Sequence, residues 1–506
     1  MPTRLAAAAL ALAATCVIAA PAPMGYDDAR HLLARTGFGP TEAEVRQFAA
    51  LTREQGVNLI LRDARTEAVT PPPAFVSDTT PVRYQPQTLT PEERRAFLQK
   101  QIREGLEIRA WWVQEMLVTP SPLTERMTLF WHNHFVSSQQ KVRFARLMYQ
   151  QNATLRANAL GSFATLLHAA SKEPAMLVYL DAAQSRKGQP NENFAREVME
   201  LFTLGEGQYT ESDIKEAARA FTGWSVDRDT GRYLFRPGIH DAGVKTVLGR
   251  SGNFDGDAVL DIILTRPQAS EFITAKLWRE FVSLEPDARE VKRIAQIFRG
   301  KDYDIKAAMR GLLLSDAFWA ANNRGTLVKS PVELVVGTLR QLEVSPGAAM
   351  PFAVVAAGMG QNLFAPPNVK GWPGGEAWIN SNTLLARKQF LDRLARMDDA
   401  PPAMMTADAA PPAPRAAVAS PQGAADEDKV RAQRFAQAMD RGVRNVRFDA
   451  AVWVARQAGD TPTAKMQAAQ SLLLPLTPVT AEAPASANDA LAFVRSTLLD
   501  PAYQLK

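Results

Sequence analysis

The stretch "LTPEERRAFLQKQIREGLEIRAWWVQEMLVTPSP", residues 89–122, constrains the fold more than any other part of the chain. Thr90 at the N-cap, Pro91 at N1 and Glu93 at N3 write a capping box, which closes the free N–H groups of a helix start. Apolar residues then recur at helical spacing to Met116, and the pair Pro120 and Pro122 stops the run. "TESDIKEAARAFTGW" repeats the grammar, with Thr210 capping, Asp213 at N3 and Gly223 as the stop. Strand signal is confined to "RYLFRPGIHDAGVKTVLG", where Tyr233–Phe235 is expected to pair with Val244–Leu248 and to leave His240 in the turn. The pattern predicts a mainly α, multi-helix globular domain with at most a small β-hairpin, and no solenoid-length repeat interrupts it.

The N-terminus "MPTRLAAAALALAATCVIAAPAP" places Arg4 before an apolar run from Leu5 to Ala20 that closes on small residues. That is the pattern of a secretory signal peptide, residues 1–19, too short and alanine-rich for a membrane span. It predicts a periplasmic or secreted protein with no membrane span after cleavage. Threonine before Cys16 argues against a lipoprotein. Cys16 is the only cysteine and lies inside the signal, so the mature chain has no disulfide, thiolate ligand or cysteine nucleophile. Any metal is then an N/O-ligated divalent ion. The net charge of +5 is dispersed among acids, so no basic stripe suggests nucleic acid, although weak attraction to an envelope polymer remains open. Residues 24–397 read as a core helical domain, and 398–428 as an Ala/Pro-rich flexible insertion. Helices in 429–506 complete the same domain.

Four segments carry residues suited to chemistry. In "LTERMTLFWHNHF", residues 123–135, a helix puts His134 on the apolar face and His132 nearly opposite, towards solvent. In "NENFAREVMELFTLG", Asn191 starts a helix and Gly205 stops it. Glu192, Arg196 and Glu200 then fall at i, i+4, i+8, an ion-pair ladder, while Glu197 borders the apolar arc and is the carboxylate expected to be partly buried. "FRPGIHDAGVK" groups His240, Asp241 and Lys245 around a turn. The Gly/Pro-rich residues 359–387 carry Trp372 and Trp378 among Asn368, Asn380 and Asn382, which suits either polymer binding or pinning of an irregular loop. No nucleophile elbow, P-loop, dinucleotide fingerprint or His-Glu-x-x-His motif appears.

The blocks "HLLARTGFGPTEAEV", "ERMTLFWHNHF", "NENFAREVMELFTLGEGQYTESDIKEAARAFTGW", "HDAGVKTVLG", "KSPVELVVGTLRQL" and "NLFAPPNVKGWPGGEAWINSNTLLAR", in this order, resemble the bacterial exported proteins grouped as domain of unknown function 1800. The ending "LLDPAYQLK" resembles that family too. The resemblance implies no established activity. It implies a co-encoded exported partner resembling the alkaline phosphatase and sulfatase fold. Two functions follow as expectations. One is a hydrolase-like or metal-dependent enzyme with candidate catalytic residues His134, Glu197, Glu200 and His240, and Asn193 and Arg196 orienting substrate. The other is a non-enzymatic envelope binding or assembly protein that uses the Trp372–Trp378 loop as a contact surface.

Overall fold

The computed structural model describes residues 22–82, 86–395, 446–480 and 489–506, with residues 433 and 437 between them. Residues 1–19, expected to be a signal peptide, and the Ala/Pro stretch 398–428 lie outside the described residues. The chain is mainly helical, and the expected capping boxes form. Thr90 accepts from the Glu93 N–H and starts the helix Pro91–Val118. Thr210 accepts from the Asp213 N–H and starts the helix Glu211–Ala220. The second carboxylate oxygen of Asp213 takes the Leu248 N–H at 2.7 Å, which ties that helix start to a β-turn. Thr210→Ala is expected to lower stability by about 1 kcal/mol in urea unfolding, the usual value of such a cap. An unchanged midpoint would show that Asp213 alone holds the helix start.

The β-pairing differs from expectation. Arg232–Phe235, which contains the expected Tyr233–Phe235, pairs backward with Trp224–Asp227, and Lys245–Val247 pairs forward with Arg250–Gly252, which gives two antiparallel hairpins instead of one. The reason is turn length. Asp227 to Arg232 and Leu248–Gly249 are tighter turns than the stretch around His240, and tight turns set hairpin register. Both Leu248 and Gly249 have positive φ, as a two-residue hairpin turn requires.

A single buried apolar cluster runs from Ala29 through the central helices to Tyr503. The long helix Pro91–Val118 packs on Met350–Gly358 and on Ala145–Ala157. The C-terminal segment closes the same core. Helix Ala490–Leu499 packs on Ser381–Ala395, the Trp453 indole donates to Gln341 O at 3.1 Å, and the Tyr503 hydroxyl donates to Thr338 Oγ1 at 2.8 Å. No helix among the described residues is long and apolar enough to cross a membrane.

Candidate functional site at the end of the His134 helix

The helix Pro122–His134 is buried nearly all round, including His132, which the helical wheel had placed towards solvent. Helix Ala145–Ala157 covers that face. Asn152 donates to His132 Nε2 at 3.0 Å, and Arg156 donates to Asn152 Oδ1 at 2.7 Å. Arg156 also grips Glu125 through two bonds of 2.6 and 2.9 Å, and the Trp112 indole donates to the same carboxylate. This polar chain is closed on itself. His132 is a structural residue.

Three sequence blocks meet where the helix ends. "NENFAREVMELFTLG" folds as helix Glu192–Met199 and then a π-helical turn, Glu200–Leu204. Such turns leave carbonyls outside the regular ladder and recur at functional sites. Here the Phe202 carbonyl reaches His134 Nε2 at 3.0 Å. A carbonyl only accepts, so Nε2 carries the proton and Nδ1 is left with a lone pair. That lone pair takes an N–H from Lys276 Nζ at 2.9 Å, on helix Pro267–Phe281. Burial among Phe130, Trp131, Phe135, Phe202 and Phe272, with the Lys276 charge beside it, holds the His134 pKa well below the usual histidine range. Burial, and after it Arg279, pushes Lys276 down to about 8. Among the described residues no carboxylate forms an ion pair with Lys276.

The Gly/Pro-rich block is clamped to the preceding residue. Asn133 Oδ1 accepts the Trp372 N–H at 2.6 Å, and Asn133 Nδ2 donates to Trp372 O at 3.2 Å. Gly371 must be glycine here. Its φ is +83°, and a Cβ would stand 2.1 Å from Asn133 Oδ1. Trp372 and Trp378 are only 4% and 7% exposed, so they pin the loop to the core and offer no surface to a polymer or partner. Asn368 accepts the Lys370 N–H, and Asn380 and Thr383 cap the next helix. Both sets of bonds shape the loop.

The other expected site residues occupy separate surroundings. Glu197 is half-buried beside the loop's Lys370. Burial, and then the Glu200 charge, raises its pKa, while Lys370 and Arg196 pull it back. Glu200 accepts from the Tyr209 hydroxyl. Arg196 does not join a ladder with Glu192 and Glu200. It makes two 2.7 Å bonds to Glu211 on the following helix, a bidentate fork-to-carboxylate pair stronger than single ladder contacts. Asn193 is exposed. His240 donates from Nδ1 to Thr222 O at 2.8 Å, Asp241 pairs with Arg219 at 2.8 Å, and Lys245 is buried with its amine on Gly243 O. That turn is local structure. Among the described residues no hydrogen bond or ion pair joins His134 to Glu197, Glu200 or His240, and no three His, Cys, Asp or Glu side chains gather as a metal would require. Sequence reasoning missed Lys276 and Asn133. The available signal was a lysine beside the apolar stripe of "PQASEFITAKLWREF", one turn after Phe272.

No curated protein and no solved structure matches the chain. A family model described as "Protein of unknown function (DUF1800)" matches residues 31–505, nearly its whole length. The chain belongs to the DUF1800 family.

Proposed function

We propose that the chain is an exported, periplasmic or secreted protein with a hydrolase-like acid–base site centred on Lys276 and His134. One observation carries the reading: Lys276 Nζ has an imidazole lone pair at 2.9 Å and no carboxylate partner among the described residues. An amine that spends one N–H on His134 Nδ1 keeps its own lone pair for a substrate. Desolvated lysines without an acid partner are the ones that act as general bases or nucleophiles near neutral pH. Phe202 O fixes the imidazole tautomer, so His134 orients the amine and is a positioning residue. The signal-like N-terminus supports export.

The metal-dependent version is weaker because the free nitrogen of His134 is already occupied by Lys276. The second reading, an envelope assembly protein acting with a co-encoded exported partner, loses its suggested surface because Trp372 and Trp378 are buried. Competitive acetylation of the folded chain across pH, read by peptide mass spectrometry, tests the site. Lys276 is expected to titrate near pH 8, in place of the about 10.4 of an ordinary lysine. A midpoint above pH 10, or no labelling below it, would remove the amine from the mechanism.

A further inference from the structure

A second cluster lies near the start of the helix that ends in His134, where "HLLARTGFGP", "KSPVEL", "NTLLAR" and the final "YQLK" come together around Arg126. Gly39 stands against the backbone of Gly337 so closely that a Cβ would be 2.9 Å from the Gly337 carbonyl. This contact lays the Gly37–Pro40 turn on helix Pro331–Gln341. A narrow crevice remains, walled by Leu472, Leu473, Pro475 and Leu505, and reached by Arg30, Lys329, Lys506 and Glu333.

The charges around it do not balance. Arg30, Arg35, Arg126, Lys329, Arg387 and Lys506 gather there, and the acids paired with them are Glu333 and Glu280. Both acids are committed: Arg126 takes Glu280 and Glu333, and Lys506 takes Glu333. Arg35 is spent on the carbonyls of Phe281, Val282 and Asn323, and Arg387 on Gln504 and Lys329 O. Two cations facing the crevice are left short. Lys329 has its ammonium over the Tyr503 ring at 3.8 Å, with no carboxylate in ion-pair reach among the described residues. Arg30 is buried and donates to Pro475 O at 3.3 Å; the charge of Asp27 acts on it, but among the described residues no carboxylate comes within ion-pair reach. A buried guanidinium and a half-buried ammonium without an ion-pair partner, side by side at a solvent-connected crevice, make an environment that an anion would stabilise.

The structure assigns this crevice to a carboxylate ligand, an organic acid whose head sits between Lys329 and Arg30 and whose short hydrocarbon body lies on the leucines. The leucine walls favour an organic acid over a bare phosphate, and the cavity volume of about 30 Å³, room for roughly two waters, admits the carboxylate head alone, with the hydrocarbon body lying along the open mouth. The empty site also holds Lys329 ready to take up a proton. Burial brings its pKa to about 7, with Arg30, Arg387 and Lys506 adding to that and Glu333 opposing it, and a bound carboxylate would raise it again.

Calorimetry and thermal unfolding of the full mature chain at constant ionic strength test the assignment, with butyrate, inorganic phosphate and chloride as probes. Butyrate is expected to bind saturably, to raise Tm, and to take up protons at pH 8. Lys329→Met should weaken it by about tenfold or more, the value of one charge-assisted bond. Reductive methylation of the unmodified protein gives a second readout independent of that variant: butyrate should protect Lys329 and leave surface lysines unchanged. Absence of saturable binding, unchanged affinity in Lys329→Met, no protection of Lys329, or saturable binding of phosphate without butyrate would each overturn the assignment. None of these readouts involves Lys276.

Discussion

Glu333→Ala should lower the stability of this protein by about 3–5 kcal/mol, the usual penalty for removing one partner of a buried ion pair. Glu333 does two jobs with one carboxylate. As N3 of a capping box it accepts the Ser330 N–H at 2.8 Å and starts helix Pro331–Gln341. It is also the counterion of Arg126, at 2.7 Å, and of Lys506, both buried. Alanine removes the side-chain half of the capping box, keeps the Ser330 Oγ bond to the residue 333 N–H, and leaves the Arg126 and Lys506 charges facing Glu280 alone. Glu333→Gln separates the contributions, because the amide oxygen can still accept from the Ser330 N–H and returns only that one hydrogen bond, about 1 kcal/mol. Urea midpoints of the three proteins measure both. A loss under about 1 kcal/mol for the alanine variant would mean that water enters the cluster. The pH dependence follows in sign. Burial alone would raise the Glu333 pKa, but Arg126 and then Lys506 outweigh it and hold the carboxyl below its ordinary 4.5. Its contribution is therefore complete above pH 4.5 and is lost as pH falls towards the folded value.

Local features were the legible ones. Thr90, Thr210 and Asn191 cap where the residue pattern puts them, because an N-cap bond spans only two or three residues. Glu197 is half-buried because its place on the wheel is a property of one helix. Partners supplied by another helix could not be read. His132 looked exposed because its wheel does not contain Asn152 and Arg156. Arg196 looked like a ladder rung because Glu211 belongs to the next helix. The same limit hid both clusters argued to bind ligands. Lys276 meets His134 across 142 residues of chain, and Lys506 meets Glu333 across 173. Glu333 shows the limit within one residue. Its capping bond to Ser330 joins residues three apart, whereas its burial is set by Arg126 and Lys506 from distant segments.

Arg156→Met is expected to cost a similar 3–5 kcal/mol and to show why the "WHNHF" block is polar inside. Glu125 is 1% exposed and Arg156 2%. Methionine would fill much of the side-chain volume but would leave the Glu125 carboxylate with only the Trp112 indole, in a site water does not reach. Asn152 would lose the donor that orients its amide towards His132. The double variant Glu125→Gln/Arg156→Met should recover most of the loss, because the uncompensated charge is gone; a cycle of four unfolding midpoints measures the coupling. Equal loss in the single and double variants would assign the effect to packing and not to charge. His132 supplies an independent check. Burial, and after it the Arg156 charge, depresses its pKa from 6.5 to about 3. Below pH 6.5 the unfolded chain takes a proton that folded His132 refuses, so stability declines from pH 6.5 towards pH 3. Removing Arg156 relieves the second cause and leaves the first. In the Glu125→Gln background, where no unpaired carboxylate takes up a proton instead, adding Arg156→Met should make stability fall less steeply over that window, and a steeper fall would show that Arg156 is not the charge His132 feels.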